Sequence, residues 1–250
     1  MKNRPTVQVY SNYTAQDFKV WKLLFERQMR ILQPIVSTEY LLALEKVKFS
    51  GDKIPDFKEV NTILQAVTGW SLVVVPNISP QKEFFEFLSR KKFTSTCWLR
   101  TVEQLDYLEE PDMFHDVFAH VPLLSNENYV NFFKGISDIA LKHIDNPEVI
   151  ELLGRIYWFT IEFGLIKEKG QLKIYGAGII SSKGETEFCL SNQARHNDFD
   201  VATIFDTGFR TDCIQEQYFV IESFEQLYNS LEEIERLIQV FIEKEVEMEQ

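Results

Sequence analysis

Apolar positions recur at helical spacing over most of this 250-residue chain. Phe18, Trp21, Leu24, Phe25 and Met29 follow Thr14 and Asp17, a capping pair, and Pro34 closes the pattern. Asp56 with Glu59 opens a second helix, and Ser79-Pro80 places a cap and a first-turn proline before Phe84, Phe85 and Leu88. Ser125 is expected to cap a helix through His143, and Asn146-Pro147 to start one that continues through Ile166. From Ser223 and Gln226 a last helix carries Phe224, Leu227, Leu231, Ile234, Ile238 and Phe241 at alternating spacings of three and four. That seam is shorter than the roughly 3–4 heptads of a coiled coil and is expected to pack on the body. Strand signals are short: Phe93 to Leu99, Leu172 to Tyr175 and Tyr218 to Ile221, with Gly176 and Gly178 marking a turn after the second. The fold class expected is mainly α with a small β-sheet. Strands and helices do not alternate, which argues against a doubly wound α/β fold.

No linker, low-complexity run or internal repeat divides the chain, so residues 1–250 read as one domain, with about 1–13 as an N-terminal extension and 223–250 as a C-terminal helix. The composition, 45% hydrophobic and 26% charged, belongs to a globular protein. With 26 Lys+Arg against 38 Asp+Glu the net charge is −12, which repels a phosphate backbone, so nucleic acid is excluded as an expected partner. Three scattered cysteines, Cys97, Cys189 and Cys213, make neither a disulfide framework nor a CxxC metal site. The apolar stretch from Ile156 to Ile166 is interrupted by Glu162 and too short to span a bilayer. A cytoplasmic protein without membrane attachment is expected.

Two of the four histidines, His115 and His120, lie in the single run from Pro111 to Pro122. Five residues turn about 140° around an ideal α-helix, so both rings cannot face one way unless the helix ends there. Pro122 disfavours the α conformation at Val121 and places His120 at a frayed end. An HExxH metalloprotease would need a spacing of four with an intervening glutamate, which is absent. Glu162 is the second anomaly, since Tyr157, Trp158, Phe159, Ile161 and Phe163 surround it with apolar bulk. A carboxylate there needs a cation, because an unpaired buried ion is too costly. Arg155 is one candidate and a metal the other. Two histidines and one carboxylate with open positions form the facial triad of non-haem Fe(II) oxygenases; two satisfied structural histidines are the plain alternative.

Three segments, EPDMFHDVFAHVPLL from Glu110, RIYWFTIEFGLI from Arg155 and YGAGIISSKGE from Tyr175, resemble the pterin-dependent aromatic amino acid hydroxylases, with the bacterial phenylalanine-hydroxylating branch the nearest likeness. The likeness runs from about Trp21 to Phe224. It implies a helical basket with a small sheet, and an Fe(II) held by His115, His120 and Glu162. O2 and a tetrahydropterin, tetrahydrobiopterin or a relative, would be cosubstrates, and L-phenylalanine the substrate hydroxylated to L-tyrosine. The resemblance implies pterin contacts for Phe84, in KEFF, and for Asp116 and Tyr157. For the substrate it implies Arg100 at the carboxylate, Pro111, Trp158 and Phe163 around the ring, Gly178 and Ser181 near the backbone end, and Tyr107 in the pocket wall. Trp158 stands where tryptophan-hydroxylating relatives carry phenylalanine, which favours L-Phe over L-Trp or L-Tyr. Ala119 replaces a glycine usual before the second histidine, and Leu108 a threonine of the animal enzymes. No regulatory domain is expected, and a monomer is expected, with a weak dimer as the alternative. The competing readings are a hydroxylase acting on L-Trp or L-Tyr, a metal-dependent hydrolase, and a non-enzymatic helical binding module.

Overall fold

The computed structural model describes residues 4–106, 108 and 110–248. Tyr107, expected in the pocket wall, lies outside the described residues. Helix α1 (Ala15–Leu32) starts at the expected capping box, in which Thr14 accepts from the Asp17 backbone N–H and Asp17 accepts from that of Thr14. Its face carrying Trp21, Leu24 and Leu32 is fully buried. α2 (Thr38–Lys46) and α3 (Phe57–Val67) follow, capped by Ser37 and Asp56. β1 (Ser71–Val74) leads through α4 (Gln81–Ser89) to β2 (Lys92–Ser95), and the two strands pair in parallel. The strand expected over Phe93 to Leu99 is thus shorter, and α4 is capped by extended Pro80 itself, without a side-chain bond from Ser79.

The chain then enters a π-helical segment (Phe114–His120), a 3₁₀ turn (Pro122–Ser125) and α5 (Glu127–Lys142). Asn126, not Ser125, caps α5 by accepting from the Tyr129 N–H, while the Ser125 hydroxyl donates to the Pro122 carbonyl. α6 (Pro147–Tyr157) passes into a second π-helical turn (Trp158–Glu162). The helix expected through Ile166 therefore stops at Glu162, and Leu165 already belongs to a strand, β3 (Leu165–Glu168). β4 (Gln171–Ile174), α7 (Ala177–Ser181), α8 (Lys183–Phe188), β5 (Arg195–Asp198), α9 (Val201–Phe205) and β6 (Gln217–Ile221) complete the body. The four-stranded sheet has the order β4-β3-β6-β5, with β3–β4 antiparallel and β6 parallel to both β3 and β5. Gly176 and Gly178, expected to mark a turn, instead cap and open α7.

The last helix is two: α10 (Phe224–Asn229) and α11 (Leu231–Met248) meet at Ser230. Phe224, Leu227, Ile234 and Ile238 of the heptad seam are buried on the body, as expected. α5 receives both helices. Among the described residues, no helix is long and apolar enough to cross a membrane. The core is rich in aromatic side chains, with Phe114 between Trp21, edge-on at 5.6 Å, and Phe118, stacked at 4.7 Å. Such pairs add about 0.5–1.5 kcal/mol each beyond the area they bury.

Candidate metal centre

The candidate ligands sit on the two π-helical turns, and the π geometry is what makes the histidine spacing work. In an i→i+5 helix, positions five apart lie one hydrogen-bonded step from each other and share a face. His115 and His120 therefore meet, with Nε2 atoms 3.3 Å apart; His120 is the last residue of its helix, as expected, but the π geometry and not fraying brings the rings together. Val121 stays helical, with φ −61° and ψ −38°, although Pro122 follows it. The Tyr40 hydroxyl donates to the Phe118 carbonyl at 2.6 Å, so this carbonyl has a partner from outside the helix. In the second turn the Phe163 N–H reaches back five residues to the Trp158 carbonyl at 2.8 Å. Thr160 Oγ1 donates to the Ile156 carbonyl at 2.6 Å, a back-bond of the kind that bends helices.

Glu162 closes the triad. Its Oε1 lies 3.3 Å from His120 Nε2 and its Oε2 3.8 Å from His115 Nε2. One ligand atom from each residue falls within 4.8 Å of the others. Three ligands about 2.1 Å from one ion at right angles would stand about 3 Å apart, so small side-chain adjustments close the site around an ion. Arg155, the alternative partner weighed for Glu162, instead pairs with Glu151 at 2.6 Å and donates to the Phe205 carbonyl. Burial pushes His115 down to about 4, against the pull of Glu162, so its imidazole is neutral near pH 7. Burial opposes ionisation of Glu162, but His120 first, then His115 and the Tyr157 hydroxyl, outweigh it and hold the carboxyl at about 2. Two imidazole nitrogens and one carboxylate oxygen are the donor set that a divalent transition metal takes.

Ser181 fixes the protonation pattern. Its hydroxyl donates to the Ala177 carbonyl at 3.0 Å, so at 2.8 Å it must accept from His115 Nδ1–H. The proton is thereby held on Nδ1, and the Nε2 lone pair points to the other two ligands. Close packing of α7 puts Ser181 there. A Cβ on Gly176 would stand 2.4 Å from the Glu162 carbonyl oxygen, and one on Gly178 would stand 2.7 Å from the Phe163 ring. Only glycine lets α7 lie so near Glu162.

Around the triad the resemblance-derived residues divide into groups. Arg100 makes a buried bidentate pair with Asp112, Nε to Oδ2 at 2.9 Å and Nη2 to Oδ1 at 2.8 Å. Asp112 also accepts from the backbone N–H groups of Arg100 and His115, which ties the guanidinium to the start of the first π turn. Nη1 takes no part in the pair. Asp116 accepts from Thr96 N–H at 2.7 Å and its hydroxyl at 2.9 Å, and burial raises it to about 7 despite those bonds. Phe84 is half-buried and meets Tyr157 edge-on at 5.8 Å. Trp158 and Phe163 pack at 4.5 Å, and half-buried Pro111 precedes the Asp112 anchor. Ala119 is buried among the core residues. Asp112, Thr96, and Gln215 beside Trp158 were not singled out from sequence. An acid and a base left in apolar surroundings, Asp112 and Arg100, were the only local signal.

The chain matches the model of the family described as biopterin-dependent aromatic amino acid hydroxylase over residues 3–247. It is 41% identical to the phenylalanine-4-hydroxylase of Chromobacterium violaceum, over 89% of this chain and 75% of that protein. The phenylalanine-4-hydroxylase of Pseudomonas aeruginosa is 36% identical over 92% of this chain and 87% of its own length. The crystal structure of the C. violaceum phenylalanine hydroxylase with bound iron(III) and the oxidised cofactor 7,8-dihydrobiopterin superposes with a TM-score of 0.88 at 39% identity, covering 95% of this chain and 86% of that one. A match over nearly the whole length, joined to a His-His-Glu cluster on paired π turns, establishes that this chain belongs to the biopterin-dependent aromatic amino acid hydroxylases.

Proposed function

We propose that this protein is a phenylalanine 4-monooxygenase, converting L-Phe to L-Tyr with O2 and a tetrahydropterin at a single Fe(II). The observation that carries this reading is the convergence of the ligand atoms of His115, His120 and Glu162 on one point. Those three residues would hold the iron on one face. Bound there, iron with the pterin supplies the activation of O2 that side chains cannot perform.

The remaining residues bind and orient. Ser181 keeps the His115 proton on Nδ1. Arg100 is held by Asp112 in a fixed plane, and its Nη1 edge, outside that pair, suits a substrate carboxylate, for which guanidinium is the fitting donor. Trp158 and Phe163, packed on each other, with Gly178 against the Phe163 ring, would make the apolar wall for an aromatic side chain, and Pro111 would add to it. Phe84 and Tyr157 present the aromatic surface on which a flat pterin stacks, beside Asp116. Closing apolar rings around the reactants excludes water from the oxidising step.

A hydrolase of the HExxH kind is not supported, because the histidines are five apart and the acid comes from another helix. A monomer in the cytoplasm remains our reading of the acidic, cysteine-poor sequence. The test is anaerobic reconstitution with Fe(II), followed by O2, L-Phe and tetrahydropterin. Stoichiometric tyrosine is the expected result. Turnover with zinc and no pterin, or none with L-Phe but some with L-Trp, would overturn it.

A further inference from the structure

Beyond the metal ligands lies a buried polar chain that ends on the indole of Trp158. Trp158 Nε1 donates to Gln215 Oε1 at 3.0 Å. Gln215 Nε2 donates to two carbonyls, Arg210 at 2.7 Å and Cys213 at 3.0 Å. Its backbone N–H donates to Glu185 Oε1 at 2.9 Å, and Glu185 Oε2 accepts from the Tyr218 hydroxyl at 2.6 Å. Both Gln215 and Glu185 are 6% exposed.

The amide has one orientation only. Reversed, its NH2 would face the indole N–H, donor against donor, and its oxygen would face two carbonyls. Every side-chain group of Gln215 is thus satisfied, and the acceptor it presents to Trp158 is fixed from three directions. Glu185 anchors the backbone of the same residue from α8. The segment that bears Gln215 also bears Phe209, which stacks on the Trp158 indole at 4.5 Å and 16° although it is 37% exposed. Phe163 packs on the same indole at 4.5 Å and 35°.

We propose that Gln215 is a positioning residue that sets substrate-ring specificity by locking the plane and depth of the Trp158 indole. This rests on the reading above that Trp158 lines the ring pocket. Stacking alone leaves an indole free to slide in its plane; a hydrogen bond to a fully satisfied amide removes that freedom. Gln215 touches neither substrate nor iron in this account. Its effect passes through Trp158 entirely, and this dependence separates it from a residue that merely stabilises the 206–216 segment.

The experiment has two parts. In the wild-type protein, before any turnover, the Trp158 indole N–H should give a ¹H–¹⁵N signal protected from solvent exchange, assigned by its loss in Trp158→Phe. An indole N–H that exchanges freely would overturn the proposal at once. Then Gln215→Met, of similar size and unable to accept, is compared with wild type, with Trp158→Phe and with the double variant. Competitive turnover on L-Phe and L-Trp, with KM and kcat resolved, is the readout. We expect Gln215→Met to shift the L-Trp to L-Phe preference by about tenfold, mainly through KM for L-Phe. Placed on the Trp158→Phe background, the same substitution should change the preference less than about twofold, because the partner is gone. Gln215→Glu, which keeps an acceptor but loses both donors, should fall between. An unchanged preference in a folded Gln215→Met enzyme, or an equal shift on both backgrounds, would refute the proposal. Were the wild type inactive on L-Phe, the proposed function would fail, whereas the exchange measurement would still judge the indole lock.

Discussion

Ser181→Ala is the most direct probe of how the metal centre is prepared. The substitution removes the acceptor 2.8 Å from His115 Nδ1 and leaves Ala177 without the hydroxyl that now donates to it. Partners of this kind on ligating histidines are worth about 10–100-fold in metal affinity, or roughly 1.4–2.7 kcal/mol. The His115 side chain is 20% exposed, so water can replace part of the lost bond. The lower end is therefore expected, about tenfold. Without a metal the loss should be small, since one exposed-side hydrogen bond contributes about 1 kcal/mol to folding. The assay is anaerobic calorimetry with Fe(II), or Co(II) as a less oxidisable probe, alongside a urea titration of the metal-free protein. Ser181→Thr retains the hydroxyl and should recover most of the affinity. The reasoning fails if Ser181→Ala binds within twofold of wild type, or if affinity and metal-free stability fall together by the same free energy.

Replacing Glu162 by Gln keeps its volume but removes the anionic ligand; metal-dependent tyrosine formation should fall by at least about 100-fold while the circular dichroism spectrum is retained. Trp158→Phe should raise turnover of L-Trp relative to L-Phe in direct competition, and an unaltered ratio would remove Trp158 from the specificity role. The His115 imidazole takes up a proton near pH 6.5 when unfolded but only near pH 4 in the fold, so its contribution to metal-free stability is complete above 6.5 and is lost as the pH falls towards 4. Denaturation midpoints of wild type minus His115→Gln should shrink across that window; parallel curves would count against it. Gly176→Ala should cost about 3 kcal/mol in urea denaturation, because its Cβ would press on the backbone at Glu162 and Gly164, whereas Gly154→Ala in α6 meets no atom within 4 Å and should stabilise by about 0.5–1 kcal/mol.

What could be read from the sequence was whatever announces itself as an anomaly of residue type. A glutamate inside an aromatic helix and two histidines in one short run are improbable without a shared ligand, and they do converge. Helix starts were legible where a side-chain cap is strong, as at Thr14, Asn146 and Ser223, and slipped by one residue where proline or serine neighbours compete, as at Ser79 and Ser125. β3 was hidden because Ile161 to Ile166 is a nearly continuous apolar run, and only Gly164 hints that a helix has ended. β5 was hidden because an edge strand reading RHND has no apolar pattern.

The hardest feature was the one on which the site depends. Reasoning with 3.6 residues per turn makes a five-residue histidine spacing a reason to end the helix, and the conclusion that the rings converge was reached through the wrong backbone. Nothing local in FHDVFAH signals a π turn; the Tyr40 hydroxyl bonded to the Phe118 carbonyl comes from 78 residues away. The same holds for Ser181 on His115 and Gln215 on Trp158, 66 and 57 residues apart. Ligand identity is a property of single residues, so a sequence displays it. Ligand orientation is a property of pairs brought together by folding, and here each such pair, Tyr40 with Phe118, Ser181 with His115 and Gln215 with Trp158, joins a π turn to an element distant in the chain. A regular helix could carry the same side chains and would still not aim His115 and His120 at Glu162.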